Sequence, residues 1–267
     1  MNYFSYADGM LSEILTFVFF LLIGLEIREG LEKPRDAIFP SICALSGMIF
    51  PALIFIALNH GSRAWAVAMP TDVALAIGVL SILGKRINPS IRLFLLTLAV
   101  ADDFFSLLVI GIFFRNDLHL ASAIYTLGAA CIGFLLPYRD QLIKLLSPIA
   151  TFFIIPIYIW INLLSKLDFS QATGKISISV LVARVIGKVL GITLAAYLLD
   201  KFTKLKFSEI LGVGFLAGMG LTVSIVIANI TLKSPSDLAQ VRMGLLFAAL
   251  VSGTLGLIAL HRSAHTV

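Results

Sequence analysis

Four ionisable side chains stand where charge is expensive. Asp72, Asp102, Asp103 and Lys188 each fall near the middle of a long apolar stretch, and Arg184 lies one turn before Lys188. An ionisable group at the centre of a bilayer costs about 2.5–3.5 kcal/mol on insertion scales, so these groups must be paired or hydrated. Internal salt bridges would explain one buried charge more readily than four at matched depth. The neighbours Asp102 and Asp103 are a poor structural choice because adjacent carboxylates repel. They are a useful choice for holding a cation in exchange for protons. Adjacent helical residues point about 100° apart. One carboxylate can therefore face a cation site while the other faces a neighbouring helix, where Lys188 can reach it.

The elements that carry these groups are long and apolar. Of 267 residues, 59% are hydrophobic and 13% are charged, and the mean hydropathy is +1.02. Soluble domains carry far more charge. This balance excludes a disordered chain, a nucleic-acid-binding domain and an ordinary soluble enzyme. The net charge of +5 points to loop lysines and arginines rather than to an anionic partner. Cys43 and Cys131 both lie in apolar runs and read as packing residues. A helix needs about 20 apolar residues to cross a bilayer. Nine stretches qualify or nearly so: Met10–Leu25, Ala37–Asn59, Ala64–Leu83, Ile91–Phe114, Leu118–Tyr138, Ser147–Leu164, Ile176–Leu199, Ile210–Leu232 and Arg242–Leu260. The expectation is an all-α polytopic membrane protein of about nine transmembrane helices, forming one domain over residues 1–267. The first stretch is the weakest, being short and carrying Glu13.

Alternate loops differ in charge. The loops after stretches 1, 3, 5 and 7, with the C-terminus, carry twelve Lys and Arg, among them Arg28, Lys33, Lys85, Arg86, Lys201 and Lys204. The opposite side carries six. By the positive-inside rule the richer side is cytoplasmic, which puts the N-terminus outside and the C-terminus inside. Residues 1–9 hold no Lys or Arg, and no small-residue cleavage site follows, so the first stretch does not read as a signal peptide.

Two stretches are interrupted. Pro70 removes a backbone donor in the third, and Thr71 and Asp72 follow at once. Gly212, Gly214, Gly218 and Gly220 crowd the eighth, with Thr222 and Ser224 beyond. Freed carbonyls inside a bilayer need a partner, and a cation or polar cavity serves. Residues 37–114 and 176–260 are similar in length, and each has its interrupted stretch in the middle. The two blocks start on opposite sides. That is the organisation of inverted repeats, in which paired interrupted helices mark a transporter's binding site.

These segments resemble the NhaA-type sodium/proton antiporter family, itself an example of inverted repeats. FFLLIGLEI at 19–27 and FPSICALSGMIFPALIFIALN at 39–59 resemble the family's second and third helices. PTDVALAIGVLSILGKRIN at 70–88 resembles its unwound fourth. RLFLLTLAVADDFFSLLVIGIFF at 92–114 resembles the fifth, with its paired aspartates. IGKVLGITL at 186–194 resembles the lysine-bearing tenth, and GFLAGMGLTVSIVIANI at 214–230 the unwound eleventh. The resemblance implies exchange of Na⁺ or Li⁺ for protons across the bacterial inner membrane, for sodium and pH homeostasis. No cofactor, nucleic acid or enzyme activity is implied; the partners are the ions and the lipid bilayer, and a homodimer is left open. It makes Asp103 the main Na⁺ ligand and Asp102 its proton-carrying neighbour, paired with Lys188. Thr71, Asp72, Gly218, Gly220 and Thr222 become the supporting broken-helix site. Glu13 and Glu26 match acidic positions at the outer entrance and the cytoplasmic mouth.

The chain also departs from the family. The family has twelve helices, and this sequence begins at the second. Between ASAIYTLG at 121–128 and IGFLLPY at 132–138 it passes from the start of the sixth helix to the end of the eighth. LIKLLSP at 142–148 stands where members carry sensor Glu and His residues. All four histidines, His60, His119, His261 and His265, lie at or near stretch ends. Val189 follows Lys188 where proline is common, and Arg184 is a second buried cation. Two other readings stay open: a folded but transport-inactive relative, and an intramembrane aspartyl protease using Asp72 and Asp102. The protease lacks its usual GxGD signature and has no role for a midplane lysine.

Overall fold

The computed structural model describes residues 3–31, 34–84, 88–117, 120–137, 139–199, 203 and 205–264. Lys33, Lys85, Arg86, His119, Lys201, Lys204 and His265 lie outside them. All regular structure among the described residues is helical. The helices are α1 (Tyr3–Leu31), α2 (Pro34–Leu58), α3 (Val73–Ile82), α4 (Pro89–Phe113), α5 (Leu120–Ala123), α6 (Ala129–Leu135) and α7 (Arg139–Ile149). They continue with α8 (Ile155–Asn162), α9 (Lys175–Val182), α10 (Lys188–Leu198), α11 (Phe207–Ala217), α12 (Thr222–Thr231) and α13 (Pro235–Ala264). A 3₁₀ segment, Arg63–Ala68, precedes α3. Single π-helical turns join α5 to α6, α7 to α8 and α9 to α10.

Six helical segments among the described residues are long and apolar enough to cross a membrane: Gly9–Glu29, Ala37–Leu58, Pro89–Phe113, Asp140–Lys166, Lys175–Leu198 and Pro235–Ser263. The pair α11 and α12, bent by 45°, makes a seventh if it is one span. The other two expected stretches are interrupted or short. Ala64–Leu83 divides into the 3₁₀ segment and α3, and Leu118–Tyr138 retains the apolar helix Ile124–Leu135. The first span is stronger than its sequence suggested. Helix α1 runs 29 residues, because Glu13 sits exposed on its flank and does not interrupt the backbone.

Helix α2 shows how the bundle meets lipid. Ile38, Ile42, Leu45, Ile49, Leu53 and Ile56 recur at helical spacing and are exposed, while Cys43, Ala44, Met48, Ala52 and Phe55 are buried. An apolar outer stripe on a membrane helix is what contact with acyl chains demands. The inner face crosses α9–α10 closely at glycine. A Cβ at Gly187 would meet the Pro51 backbone at 2.7 Å, and one at Gly191 would meet the Ser46 carbonyl. Small residues allow such crossings where hydrophobic burial gives no drive between helices. Cys43 is buried on α2 and Cys131 exposed on α6, both unpaired.

Two apolar clusters flank the centre. One gathers α1, the second half of α2, the 3₁₀ segment, α8 and α12. The other gathers the first half of α2, α3, α4, α10 and α11. The 3₁₀ segment is pinned at its start. Arg63 grips Asp117 beyond α4 with its two terminal guanidinium nitrogens, Nη1 to Oδ1 at 2.9 Å.

Candidate functional site

The two interrupted helices cross at their breaks. Extended chain at Pro70–Asp72 lies against Gly218–Leu221, and the Asp72 amide donates to the Met219 carbonyl at 2.9 Å. Each break frees backbone groups that a buried chain must satisfy. The crossing satisfies them mutually. The Ala217 carbonyl accepts from the Thr71 hydroxyl at 2.9 Å. The carbonyls of Val67, Pro70 and Gly218 all accept from Arg184, at 2.7, 2.5 and 3.1 Å. A fourth bond, 2.8 Å, joins Arg184 to the Ser224 hydroxyl.

Charge follows the helix ends. Arg184, fully buried, stands at the carbonyl ends of the 3₁₀ segment and α11, which carry partial negative charge. Asp72 occupies the N-cap position of α3 without a side-chain capping bond, and its carboxylate reaches the start of α12. Its Oδ2 accepts from the Thr222 amide at 3.3 Å and from the Thr222 hydroxyl. A carboxylate at two helix N-termini and a guanidinium at two C-termini are both favourable placements.

Beside this crossing, α4 presents the paired aspartates, both buried. Lys188 Nζ donates to Asp102 Oδ2 at 2.7 Å and to Thr71 Oγ1 at 2.8 Å. Thr71 also bonds Asp102 Oδ2. Its hydroxyl has one proton, so Asp102 and the Ala217 carbonyl compete for it while Lys188 fills a lone pair. Asp102 Oδ1, Asp103 Oδ1 and Ser106 Oγ are buried without a hydrogen-bond partner. Buried polar atoms are nearly always bonded, so three orphans within about one turn of a helix need a reason. Carboxylate and hydroxyl oxygens are the ligands hard cations take. The described residues hold no group of three or more His, Cys, Asp or Glu suited to a resident metal. The charges of Glu26, Asp102 and Asp72, and the opposite charge of Lys188, all act on Asp103.

The crossing thus brings together Thr71, Asp72, Asp102, Lys188, Gly218, Gly220 and Thr222, with Asp103 next along α4. Glu26, on α1, joins through its field on Asp103. Glu13 lies elsewhere, hydrogen-bonded by Tyr125 in a polar cavity of about 610 Å³ lined also by Tyr158, Asn162 and Asn229. Sequence reasoning passed over Ser106. Its signal was available: it lies three residues after Asp103, on the same helical face.

The family model described as Na⁺/H⁺ antiporter 1 matches residues 6–141 and 137–260. Among curated relatives, a Na⁺/H⁺ antiporter NhaA of Citrobacter koseri is 29% identical over 314 residues, covering 92% of this chain and 81% of its own. An NhaA 2 of Campylobacter fetus is 29% identical, covering 94% and 79%. An NhaA 2 of Aliarcobacter butzleri is 30% identical, covering 92% and 80%. The first alignment is longer than the 267-residue chain, so that relative carries residues with no counterpart here.

Proposed function

The chain belongs to the Na⁺/H⁺ antiporter 1 family, and from that membership we propose that it exchanges Na⁺ or Li⁺ for protons through the carboxylate pair on α4. It is a multi-pass membrane transporter and not an enzyme. The observation that carries the reading is the orphaned oxygen set, Asp102 Oδ1, Asp103 Oδ1 and Ser106 Oγ, buried beside two broken helices. A small cation offered these oxygens replaces the bonds they lack. A proton on the carboxylates competes for the same lone pairs. Binding of one ion therefore favours release of the other, which is the linkage an exchanger requires.

In this reading Asp103 is the principal cation ligand: both aspartates have an unpartnered Oδ1, but the other oxygen of Asp102 is engaged by Lys188. Thr71, Asp72, Gly218, Gly220 and Thr222 hold the crossing in register. Glu26 serves the cytoplasmic mouth and Glu13 the outer entrance. Residues 37–114 and 176–260 act as inverted repeats, with one block rocking against the other around the crossing. The N-terminus faces outside and the C-terminus the cytoplasm of a bacterial inner membrane. The residues of the site all come from one chain, and the homodimer is left open by the resemblance.

The protease reading loses its two acids. Asp72 is committed to Thr222 and Asp102 to Lys188, so neither is free to activate water. The test is dequenching of a pH-sensitive dye in everted membrane vesicles on addition of Na⁺, Li⁺ or K⁺. Na⁺- or Li⁺-dependent proton movement is the expected result. Vesicles that respond to none of the three ions, with the protein present, would establish the transport-inactive reading instead.

A further inference from the structure

We propose that Arg184 is a positioning residue for cation exchange: it fixes the two broken helices in the register that places the Thr71 hydroxyl on Asp102. The inference rests on the exchange reading above, which itself gives Arg184 no part.

Arg184 is one of the largest fully buried side chains in the protein. It sits in the π-helical turn Ala183–Gly187 that joins α9 to α10. Such single π-turns inside longer helices are frequent at functional sites. Its guanidinium makes four donor contacts that span both breaks: Val67 and Pro70 before one, Gly218 at the other, and Ser224 in α12. A planar fork of five N–H groups can make these bonds at once, and a lysine ammonium cannot.

The two grips that matter flank Thr71. Pro70 precedes it directly. Gly218 follows Ala217, whose carbonyl is the second acceptor of the Thr71 hydroxyl. Arg184 therefore holds the chain one residue away on both sides of the Thr71–Ala217 contact. Thr71 in turn touches Asp102 and Lys188. Slippage of either break would carry the hydroxyl off the carboxylate and leave the Asp102–Lys188 pair without its third member. Arg184 bonds neither carboxylate; its charge acts on Asp102 through space, and its contact route to the cation site runs through Thr71, which the double variant below separates from the charge effect.

Glycine at 220 keeps the clamp closed. A Cβ there would meet both Arg184 Nη2 and the Pro70 carbonyl, the two atoms of the shortest of the four bonds. The crossing has room for the guanidinium only because that side chain is absent.

The experiment compares Arg184→Gln, Arg184→Lys, Thr71→Val and the double variant Arg184→Gln/Thr71→Val in everted vesicles, with Na⁺-dependent dequenching of the unaltered protein run in parallel. Loss of an outer group that orients a ligand weakens metal binding by about 10–100-fold, so Arg184→Gln should raise the apparent cation KM by at least about tenfold, beyond any fall in maximal rate. Arg184→Lys should fall between it and the unaltered protein. If Arg184 acts through Thr71, the double variant should be little worse than Thr71→Val alone. Multiplying effects, or an unchanged KM with only a lower amount of protein, would overturn the proposal. Should the Arg184 variants not accumulate, Ser224→Ala decides: it removes one of the four contacts and lies off the Thr71 path. A rise in KM of about two- to threefold, the scale of one modest hydrogen bond, supports the clamp, and an unchanged KM overturns it. If the unaltered protein gives no cation-dependent signal, it is the exchange reading that fails, and Na⁺-induced thermal stabilisation in detergent, compared between unaltered and Ser224→Ala protein, still reads the clamp.

Discussion

Lys188 Nζ stands 2.7 Å from Asp102 Oδ2, and neither side chain is reached by solvent. Both charges are out of water, so each is tolerable only with the other. Removing one partner of a buried pair costs about 3–5 kcal/mol, because it strands the remaining charge. Asp102→Asn and Lys188→Met should each lower the thermal unfolding temperature in detergent sharply. The double substitution should recover much of the loss. Additive losses would show that the two residues do not depend on one another.

Each of the paired aspartates has an unpartnered carboxylate oxygen, but Lys188 is bonded to Asp102 and not to Asp103. Asp103→Asn keeps the shape and breaks no ion pair among the described residues. The expected outcome is a protein that reaches the membrane at normal levels and melts near the normal temperature, while Na⁺-driven dequenching is lost. A wild-type rate in this variant would remove Asp103 from the exchange site.

Much of this arrangement was legible in the sequence, and the reason is physical. Charge at bilayer depth and proline or glycine inside an apolar stretch are both costly, so Asp72, Asp102, Asp103, Lys188, Pro70 and Gly220 stand out from their surroundings. The contacts of Arg184 were not legible. Its carbonyl partners Val67, Pro70 and Gly218 lie 117, 114 and 34 residues away, and backbone carbonyls carry no residue-type signal. The π-turns were hidden for a related reason, since one inserted residue does not disturb a run that is apolar on every side. The length of α1 was underestimated because Glu13 lowers the local hydropathy without breaking a helix.

Two glycines should respond in opposite ways to the same substitution. At Gly220 a methyl group would press on Arg184 Nη2 and the Pro70 carbonyl, whereas at Gly78, inside α3, nothing lies within 4 Å of the added atom. Overpacking a tight site costs about 1–3 kcal/mol, so Gly220→Ala should destabilise the protein and impair exchange. Gly78→Ala should be neutral or stabilising by up to about 1 kcal/mol, the helix-propensity difference between the two residues. Equal melting temperatures for the two variants would contradict the crowding at the crossing.

The response to pH should be a gradual competition and not a switch. Histidine changes charge across the physiological range, and lysine does not. On α7, where family members carry sensor Glu and His residues, this chain has Ile143, Lys144 and Ser147. Of the histidines within the described residues, His60 lies in the turn just after α2 and His261 in the last turn of α13, both exposed. Neither is among the residues of the crossing. Proton sensitivity then comes from the carboxylates that bind the cation. Raising the pH removes the competing proton, so the apparent cation KM should fall as pH rises, by about tenfold per unit wherever one proton is exchanged per cation site. The maximal rate should change far less over the same interval. Initial rates of Na⁺-driven dequenching between roughly pH 6.5 and 8.5, the interval in which a histidine sensor would act, separate the two behaviours. A jump in maximal rate within less than about one pH unit is steeper than a single titrating site allows. It would point to a separate sensor, with Glu26 and Glu29, three residues apart on α1 and each within the other's field, as the candidates.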